Sequence, residues 1–391
     1  MSSSSTIYVQ PSPLSTFNPY SNTIQSSLKT TTSKPLSHQP HLPNIPLPTD
    51  SGWIGEKIHE FPHGFRFLLQ NPNGLDLSNK LNEFGLLLEN ITRYKIDMLL
   101  LPESNINPHN FELIENLRAA TDLHLHHALF NSTNTPGFPA SQYQPGGVTT
   151  ILQGNLLHRF ATTCNDHAGR WACSSFRGKT RQLKVYTLYR VCDSSSSGPT
   201  TAYSQQEQFF LSRDKVVNPR QQVINDLLPI LESDISKGFD IILSGDFNEA
   251  LNGTTSQSLE ALGLIDIIST HIDDPPRTYR YGKNCIDQFW ATSTVAHTVT
   301  SVGFAPFDFL QVSDHRAIYV DLNLSDILDN DSFHIPPVRY RRLKSNSVSS
   351  VSSYKKSINR LTKKHKICNS INRIIKCTNC ILLFIWTVTG I

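Results

Sequence analysis

The sequence is short of apolar residues, and it lacks both a secretory signal and a long hydrophobic run. Apolar residues make up 38% of the 391 positions, which is low for a fully globular chain, so part of it is expected to stay unfolded. Polar residues follow Met1, so we expect no signal peptide and reduced cysteines in an intracellular protein. The apolar stretch 381–391 is too short to cross a bilayer, and no membrane contact is expected.

Both ends of the chain differ in composition from the middle. Residues 1–52 are rich in Ser, Thr and Pro and almost uncharged, which predicts a disordered arm. A transit peptide is the competing interpretation, disfavoured by the scarcity of Arg. Residues 325–391 form a basic, Ser-rich tail that we expect to be mostly irregular. A solvated extension is the favoured interpretation, and a nucleic-acid arm or nuclear-import patch is the alternative.

This tail also contains two ligand pairs with the spacing of zinc sites. They are His365 with Cys368, and Cys377 with Cys380. The segment between the pairs is short and has no turn-forming glycine, so we do not expect zinc there. The net charge of +3 indicates neither the presence nor the absence of a polyanionic partner.

Residues 53–324 alternate between short apolar runs and helical patterns, which predicts a layered α/β domain. Helices are predicted after Ser78 and over residues 221–235. His124, His126 and His127 alternate along an apolar segment and are interpreted as exposed strand residues. The predicted strands cover residues 65–69, 96–101, 146–152, 171–176 paired with 183–188, 239–243, 286–290 and 317–322.

Polar side chains lie at or beside the ends of these apolar runs, so strand ends are expected to converge on one rim. Asp287 is the exception, since it lies inside a predicted strand and therefore needs a partner. Taken singly, each of these residues is an ordinary turn or capping residue, and only their joint occurrence indicates a site. The polar residues at or beside the strand ends, apart from Asp287, are Asn71, Glu103, Tyr189, Asp246, Asn248, Asp314 and His315.

Carboxylates gathered from separate strand ends suit a hard cation such as Mg²⁺, which prefers oxygen ligands. Glu103 and Asp314 suit the metal, and Asp246 could orient or deprotonate a water molecule. Protonated His315 could stabilise phosphate charge, with Asp287 as the carboxylate that holds it. This pattern predicts hydrolysis of a phosphate ester. Three neutral donors could hold the phosphate, namely Asn71, Tyr189 and Asn248.

Six segments carry a family resemblance in this order: QNPNGL, LLLPESN, LYRVC, LSGDFNEAL, CIDQFW and VSDHRAI. Together they resemble the endonuclease/exonuclease/phosphatase superfamily. The resemblance implies a four-layered α/β sandwich over residues 53–324, with two packed mixed sheets flanked by helices. It also implies a requirement for Mg²⁺, with Mn²⁺ as an alternative.

The same resemblance implies roles for the residues of the six segments. Glu103 matches the metal-binding glutamate with Asn71 beside it, and Asp314 matches an acid that faces the metal. Asp246 and Asn248 match the pair that handles the attacking water. Tyr189 matches a phosphate-contacting tyrosine, and Asp287 with His315 matches the catalytic aspartate–histidine pair.

Three positions depart from the family pattern. Pro102 and Ser104 replace the Gln and Thr that commonly flank the metal-binding glutamate, and Gln288 replaces an aromatic residue. These departures bear on efficiency and substrate fit.

Within the superfamily the chain is most similar to the endonuclease domains of non-LTR (LINE-type) retrotransposons. The cues are the segment LYRVC followed by a Ser/Gly/Pro loop, the segment GGV at 146–148, and HIPPVRYRRLKS in the tail. No Tyr-x-Asp-Asp polymerase signature is present. The resemblance implies a monomeric, nuclear enzyme that nicks DNA and leaves a 3′-hydroxyl. A cytoplasmic location is the alternative to the nucleus. A phosphatase or phosphodiesterase of inositol phosphates, nucleotides or RNA, and an inactive DNA-binding remnant, are the alternative functions.

Overall fold

The computed structural model describes residues 52–61, 64–75, 82–125, 128–136, 144–193, 198, 200–328 and 348–364. Residues 1–51 of the predicted arm lie outside these ranges, as do both pairs with zinc-like spacing, where we expect no zinc.

Thirteen strands lie in the described ranges. In chain order they are β1 (Ile54–Gly55), β2 (Phe65–Leu69), β3 (Met98–Pro102), β4 (Ala128–Thr133), β5 (Val148–Gln153), β6 (Phe160–Asn165), β7 (Trp171–Arg177), β8 (Gln182–Tyr189), β9 (Asp240–Asp246), β10 (Leu264–Asp266), β11 (Asp287–Thr292), β12 (Val299–Phe307) and β13 (Arg316–Leu322).

Ten helices lie in the same ranges. They are α1 (Asn82–Arg93), α2 (Phe111–Leu125), α3 (Gly154–Leu157), α4 (Ala202–Leu211), α5 (Pro219–Ser236), α6 (Thr254–Ala261), α7 (Ile267–His271), α8 (Ser293–Ala296), α9 (Ser325–Leu328) and α10 (Val348–Lys364).

The strands form two mixed sheets. The first has the order β1-β12-β13-β2-β3-β5-β4, and the second has the order β10-β11-β9-β8-β7-β6. Each sheet has one parallel pair, β2 with β3 and β8 with β9, and every other pairing is antiparallel. The predicted pairing of 171–176 with 183–188 is confirmed, since Trp171 lies opposite Leu188 and Phe176 opposite Leu183.

The central strands are apolar on both faces because each face is covered. Phe67 and Leu69 of β2 point to the core between the sheets and meet Val185 of β8 there. Leu68 points outward and packs with α1 and α2, while Tyr186 packs on the other side with α5 and α6. Helix, sheet, sheet and helix therefore form four layers, and the predicted α/β sandwich is confirmed.

Helix α5 begins two residues before its predicted start. Asn218 caps it by accepting a hydrogen bond from the Gln221 amide at 3.2 Å, and Pro219 occupies the first turn, where its missing N–H costs nothing. The helix continues through Pro229 and is followed by Gly238, whose φ of 80° suits a helix end.

The predicted strand around His124 is wrong. Residues Phe111–Leu125 form helix α2, and His124 lies in its last turn, while His126 and His127 lie outside the described residues. The helix buries Leu113, Leu117 and Leu125 against the first sheet, a four-residue spacing that outweighs the local alternation of histidines.

The tail contains more regular structure than its composition indicates. Helix α9 buries Ile327 and Leu328 in the core between the sheets, so the folded body continues past residue 324. Helix α10 lies within the segment that we predicted to be mostly irregular. None of the helices in the described ranges combines the length and apolar character that a bilayer-spanning segment needs.

A buried ion pair joins the two strands at the middle of the first sheet. Arg66 of β2 lies opposite Asp321 of β13 and donates two hydrogen bonds to its carboxylate, both at 2.7 Å. The guanidinium also donates to the carbonyl oxygens of Tyr94 and His59. Both charged side chains are almost fully excluded from solvent. Each charge therefore depends on the other for compensation.

We expect Arg66→Leu to lower the free energy of unfolding by about 3–5 kcal/mol, because it strands a buried carboxylate. The double variant Arg66→Leu/Asp321→Leu should recover most of this loss in urea denaturation. Arg118→Leu breaks the exposed pair with Glu115 and should cost under about 1 kcal/mol, which makes it the control. A double variant as unstable as the single one would contradict the argument.

Candidate functional site

The predicted site residues lie along one rim, and strand direction explains why. Strands β2, β3, β8 and β9 run toward this rim and end there, whereas β11 and β13 run antiparallel to their neighbours and begin there. Asn71 and Glu103 therefore follow β2 and β3, and Asp246 lies at the end of β9. Asp287 lies directly opposite Asp246, and His315 immediately precedes β13.

The side-chain amide of Asn71 connects the two sheets at the rim. Its Nδ2 donates to Glu103 Oε2 at 2.9 Å and to Asp246 Oδ2 at 2.8 Å. Its Oδ1 accepts a hydrogen bond from the Asn73 amide at 2.7 Å. Asn71 is fully buried, so these bonds fix two carboxylates from different sheets around one nitrogen.

Asp246 is also held from its own loop. The Asn248 backbone amide donates to Asp246 Oδ1 at 2.8 Å. The Asn248 side-chain amide donates to Asp246 Oδ2 at 3.2 Å and to the Arg190 carbonyl at 2.8 Å. Both hydrogens of the Asn248 side-chain amide are therefore used in hydrogen bonds within the protein. This geometry suits a role in positioning Asp246 better than a role as a phosphate donor, which needs a free N–H group.

Asp287 and His315 form a buried pair. His315 Nδ1 and Asp287 Oδ2 are 2.7 Å apart, and Asp287 is completely inaccessible to solvent. The ring of Tyr279 packs against the imidazole with centroids 5.2 Å apart. Ligand atoms of Asp246, Asp287 and His315 all lie within 4.8 Å of one another. The acid inside the strand thus has the partner that its burial requires.

Tyr189 and Asp314 complete the set beside Glu103. Burial, followed by the charges of Glu103 and Asp246, raises the pKa of Tyr189 well above its usual value. Asp314 Oδ2 accepts a hydrogen bond from Asn73 Nδ2 at 3.1 Å. All eight residues predicted from the sequence are therefore brought to the same rim.

Electrostatics at the rim are dominated by crowded carboxylates. Burial raises the pKa of Asp246 to about 8, and Asp287 adds to the shift while His315 opposes it. Burial also raises the pKa of Glu103. Burial alone would lower the pKa of His315, but the charge and hydrogen bond of Asp287 raise it to about 10. The imidazole is therefore cationic at neutral pH.

Oxygen donors in this cluster could hold a divalent cation. Asp287 Oδ1 and Asp314 Oδ1 are buried and have no hydrogen-bond partner among the described residues. Burial is the main cause of the raised carboxylate pKa values, because it penalises the charged forms, and a bound cation would offset that penalty. His315 Nδ1 is already engaged with Asp287, so Glu103, Asp246 and Asp314 are the better ligands. The residues present fit a hard divalent ion.

Several positioning residues were missed by the sequence analysis. The Ser313 hydroxyl donates to the Asn71 carbonyl at 2.6 Å and accepts a hydrogen bond from the His315 amide at 3.0 Å, so it joins the two segments. Asn73 contacts both Asn71 and Asp314. Both residues lie in segments that carry the family resemblance, Ser313 in VSDHRAI and Asn73 in QNPNGL, so their positions in those segments could have indicated a role at the site.

The loops at the rim contain left-handed backbone at non-glycine residues. Glu103, Asn105 and Asn248 have φ values of 53°, 54° and 47°. Asparagine tolerates this region better than glutamate does, so Glu103 is the position with the larger strain. Paired hydrogen bonds hold the loop: Asn105 Oδ1 accepts from the Gly146 amide at 2.6 Å, and the Asn105 amide donates to the Gly146 carbonyl at 2.9 Å. The fold thereby fixes the carboxylate of Glu103.

The sequence matches the model of the Endonuclease/Exonuclease/phosphatase family over residues 77–315, which is more than half of the chain. The protein belongs to this family. It is accordingly a metal-dependent hydrolase of phosphate esters. None of the curated proteins matches the sequence.

Three solved structures are similar to this chain, and the first of them shows the likeness in fold. AP endonuclease LMAP from Leishmania major is 14% identical, with a TM-score of 0.50, and the match covers 66% of this chain and 88% of that one. The 3′ phosphatase NExo from Neisseria, solved with a product DNA hairpin, is 15% identical, with a TM-score of 0.46 and coverages of 66% and 99%. The human Nocturnin catalytic domain is 17% identical, with a TM-score of 0.45 and coverages of 69% and 95%.

The departures from the family pattern are accommodated by local hydrogen bonds. The Ser104 hydroxyl accepts a hydrogen bond from Thr149 at 2.9 Å. Gln288, where an aromatic residue is usual, donates to the Glu249 carbonyl and accepts from the Trp290 indole, both at 2.8 Å. Gln288 is fully buried and satisfied, and it leaves the Asp287–His315 pair intact.

We expect Asp287→Asn to lower the pKa of His315 from about 10, because the variant loses both the charge and the hydrogen bond of Asp287, and only Asp246 and Asp314 then oppose the effect of burial. In the wild type, the raised pKa stabilises the fold fully below about pH 6.5, and this stabilisation is lost as the pH rises through about 10. The variant should lose most of that pH dependence.

Histidine ring signals in NMR titrations with EDTA measure this shift directly, and His315→Ala identifies the signal. An unchanged midpoint in Asp287→Asn would show that the carboxylate does not hold the proton on the imidazole.

Proposed function

We propose that the protein is a Mg²⁺-dependent endonuclease of retrotransposon type that nicks DNA and leaves a 3′-hydroxyl. The observation that carries the proposal is one rim where Asn71 joins Glu103 and Asp246 beside the buried Asp287–His315 pair. A divalent ion, an aligned water and a cation for the phosphate are what hydrolysis of a phosphodiester needs. Mn²⁺ would suit the same oxygen donors.

The residues divide these tasks according to their surroundings. Glu103 and Asp314 would bind Mg²⁺, and Asn71 would fix the metal-binding carboxylate while offering its amide oxygen. The bound ion would neutralise charge that develops on the phosphate. Asp246 would accept a proton from the attacking water once the bound cation offsets the effect of burial and keeps it as the carboxylate, and Asn248 would keep that carboxylate aligned.

On the other side, cationic His315 would stabilise a non-bridging phosphate oxygen, and Asp287 would keep the ring charged and oriented. Tyr189 would donate its hydroxyl to the phosphate. The hydroxyl keeps its proton because its pKa is raised by burial and neighbouring carboxylates.

A half-buried tyrosine and an exposed one beside His315 favour a nucleic acid over a small phosphate ester. Residues 278–280 pair alongside 314–316, so Tyr279 is held against the imidazole. Tyr281 packs on Tyr279 with ring centroids 5.6 Å apart, and 61% of it is exposed to solvent. Exposed aromatic rings next to a phosphate site provide surfaces on which bases stack.

The retrotransposon subtype, the nuclear location and the monomeric state complete the proposal. The LYRVC and GGV segments and the basic tail support the subtype. The tail also supports nuclear import and non-specific contact with DNA, because Val348–Lys364 includes five Lys and Arg residues and no acidic one.

With Mg²⁺, the purified full chain should convert supercoiled plasmid to the open circle. His315→Ala should slow nicking by roughly 10²–10³-fold, because a charge aimed at the transition state is removed. His271→Ala, purified in the same way, is the control for contaminating nuclease, since His271 is exposed at the end of α7. Equal rates for the two variants would contradict the assignment.

Parallel assays with poly(A) and inositol phosphates decide the substrate class. Faster release from inositol phosphates would replace the endonuclease with a phosphatase of the same family. Normal binding of plasmid with no nicking would instead indicate an inactive remnant.

Mg²⁺ should raise the free energy of unfolding of the wild type, and with it the Tm. At a Mg²⁺ concentration one hundred times the Kd, the expected gain is about 2.7 kcal/mol. Glu103→Gln should remove most of this gain, because the amide retains the shape but loses the charge that binds the ion. Glu112→Gln on α2 is the control. A sample with sodium chloride at the same ionic strength in place of Mg²⁺ shows how much of the gain comes from general screening of charges. A full gain in Glu103→Gln would exclude this carboxylate as a ligand.

A further inference from the structure

Two cysteines face one another at the edge of the second sheet, away from the phosphate site. Cys164 of the edge strand β6 lies directly opposite Cys173 of β7. Opposed residues of an antiparallel pair have Cα atoms about 4.5–5.5 Å apart, within the range of about 4.4–6.8 Å that a disulfide spans. Both residues are free thiols, and the two side chains hydrogen-bond one another.

The two thiols differ in accessibility. Cys164 is exposed, whereas Cys173 is completely buried. The hydrogen bond from Cys173 lowers the pKa of Cys164 to about 7 against the effect of burial, and Lys184 contributes to the lowering. The hydrogen bond with Cys164 and burial raise the pKa of Cys173 well above its usual value. The exposed thiol is thus the nucleophile, and the buried one keeps its proton.

A hydrogen-bonded row behind the pair holds the positive charge in place. Tyr186 of β8 lies opposite Cys173 and donates to Asp234 Oδ2 at 2.5 Å. Lys184 donates to the other oxygen of the same carboxylate at 2.6 Å and packs over the ring of Phe239. The ammonium group therefore stays beside the thiols instead of moving freely in solvent. The Lys184 charge favours the Cys164 thiolate, and the Asp234 carboxylate that holds it has the smaller, opposing effect.

We propose that Cys164 and Cys173 form a modification site for low-molecular-weight disulfides such as glutathione disulfide. The Cys164 thiolate attacks one sulfur of the oxidant, forming a mixed disulfide and releasing one thiolate, which takes up a proton. Cys173 then loses its proton and attacks Cys164 Sγ, which forms the cross-strand disulfide and releases the second thiol. The protein loses two electrons and two protons, and the oxidant becomes two thiols.

The remaining described cysteines serve as internal comparisons. Cys192 is exposed, and Cys285 is buried in the core between the sheets, and the described strands place no cysteine opposite either of them. Cys192 should therefore stop at the mixed disulfide, and Cys285 should not react. Among the four cysteines in the described ranges, the opposed pair is the one that combines an accessible thiol with a second thiol in reach.

The test treats the reduced full chain with glutathione disulfide, quenches it with acid, and maps peptides by mass spectrometry. In the wild type, residues 164 and 173 should be linked with the loss of two hydrogens, and no glutathionyl group should remain on Cys164. Cys173→Ser should retain a glutathionyl group on Cys164. Cys164→Ser should leave Cys173 unmodified. Dithiothreitol should restore both thiols.

Circular dichroism establishes that both serine variants are folded, and a synthetic cysteine peptide added to each sample becomes glutathionylated if the oxidant is active. The proposal is overturned if wild-type Cys164 keeps its glutathionyl group as in Cys173→Ser. It is also overturned if Cys164 stays reduced while the added peptide reacts.

Discussion

The site depends on one buried amide. Asn71 belongs to the first sheet, yet its Nδ2 reaches Asp246 of the second sheet while holding Glu103 of its own. Two carboxylates would repel one another in a buried setting, and a neutral donor between them relieves that repulsion without removing either charge. The His315–Asp287 pair contributes the compensating positive charge close by. The rim is stable as a balance of charges, and the same balance prepares it for a divalent cation.

Strand topology makes this balance achievable. Each sheet contains a single parallel pair, and the antiparallel neighbours of those pairs start where the parallel strands end. Polar side chains can therefore collect at one rim while the strand centres remain apolar on both faces. Membership of the Endonuclease/Exonuclease/phosphatase family agrees with this arrangement, since phosphoester hydrolysis needs several polar groups within one small space.

The sequence predicted the layers and the site membership because both follow from local patterns. Strands 171–176 and 183–188 were recognisable by length and β-branched or aromatic content, and Asp287 required a partner wherever it was buried. Helix α2 was missed because alternating histidines near its end obscured a four-residue apolar spacing. The hydrogen bonds of Asn248 were also beyond prediction. The partner that accepts each Asn248 amide hydrogen depends on the geometry of the loop, including the φ of 47° at Asn248. Residue identity does not determine that geometry.

The segments that build the rim are far apart in the chain, from Asn71 after β2 to His315 before β13, the last strand of the first sheet. Ser313 and Asn71, which hydrogen-bond directly, are separated by 242 residues. A nascent polypeptide therefore lacks the imidazole until nearly all of its folded body has left the ribosome. No piece that ends before His315 can contain the complete hydrolytic centre, so catalysis begins only after this last segment of the rim has been made and folded back.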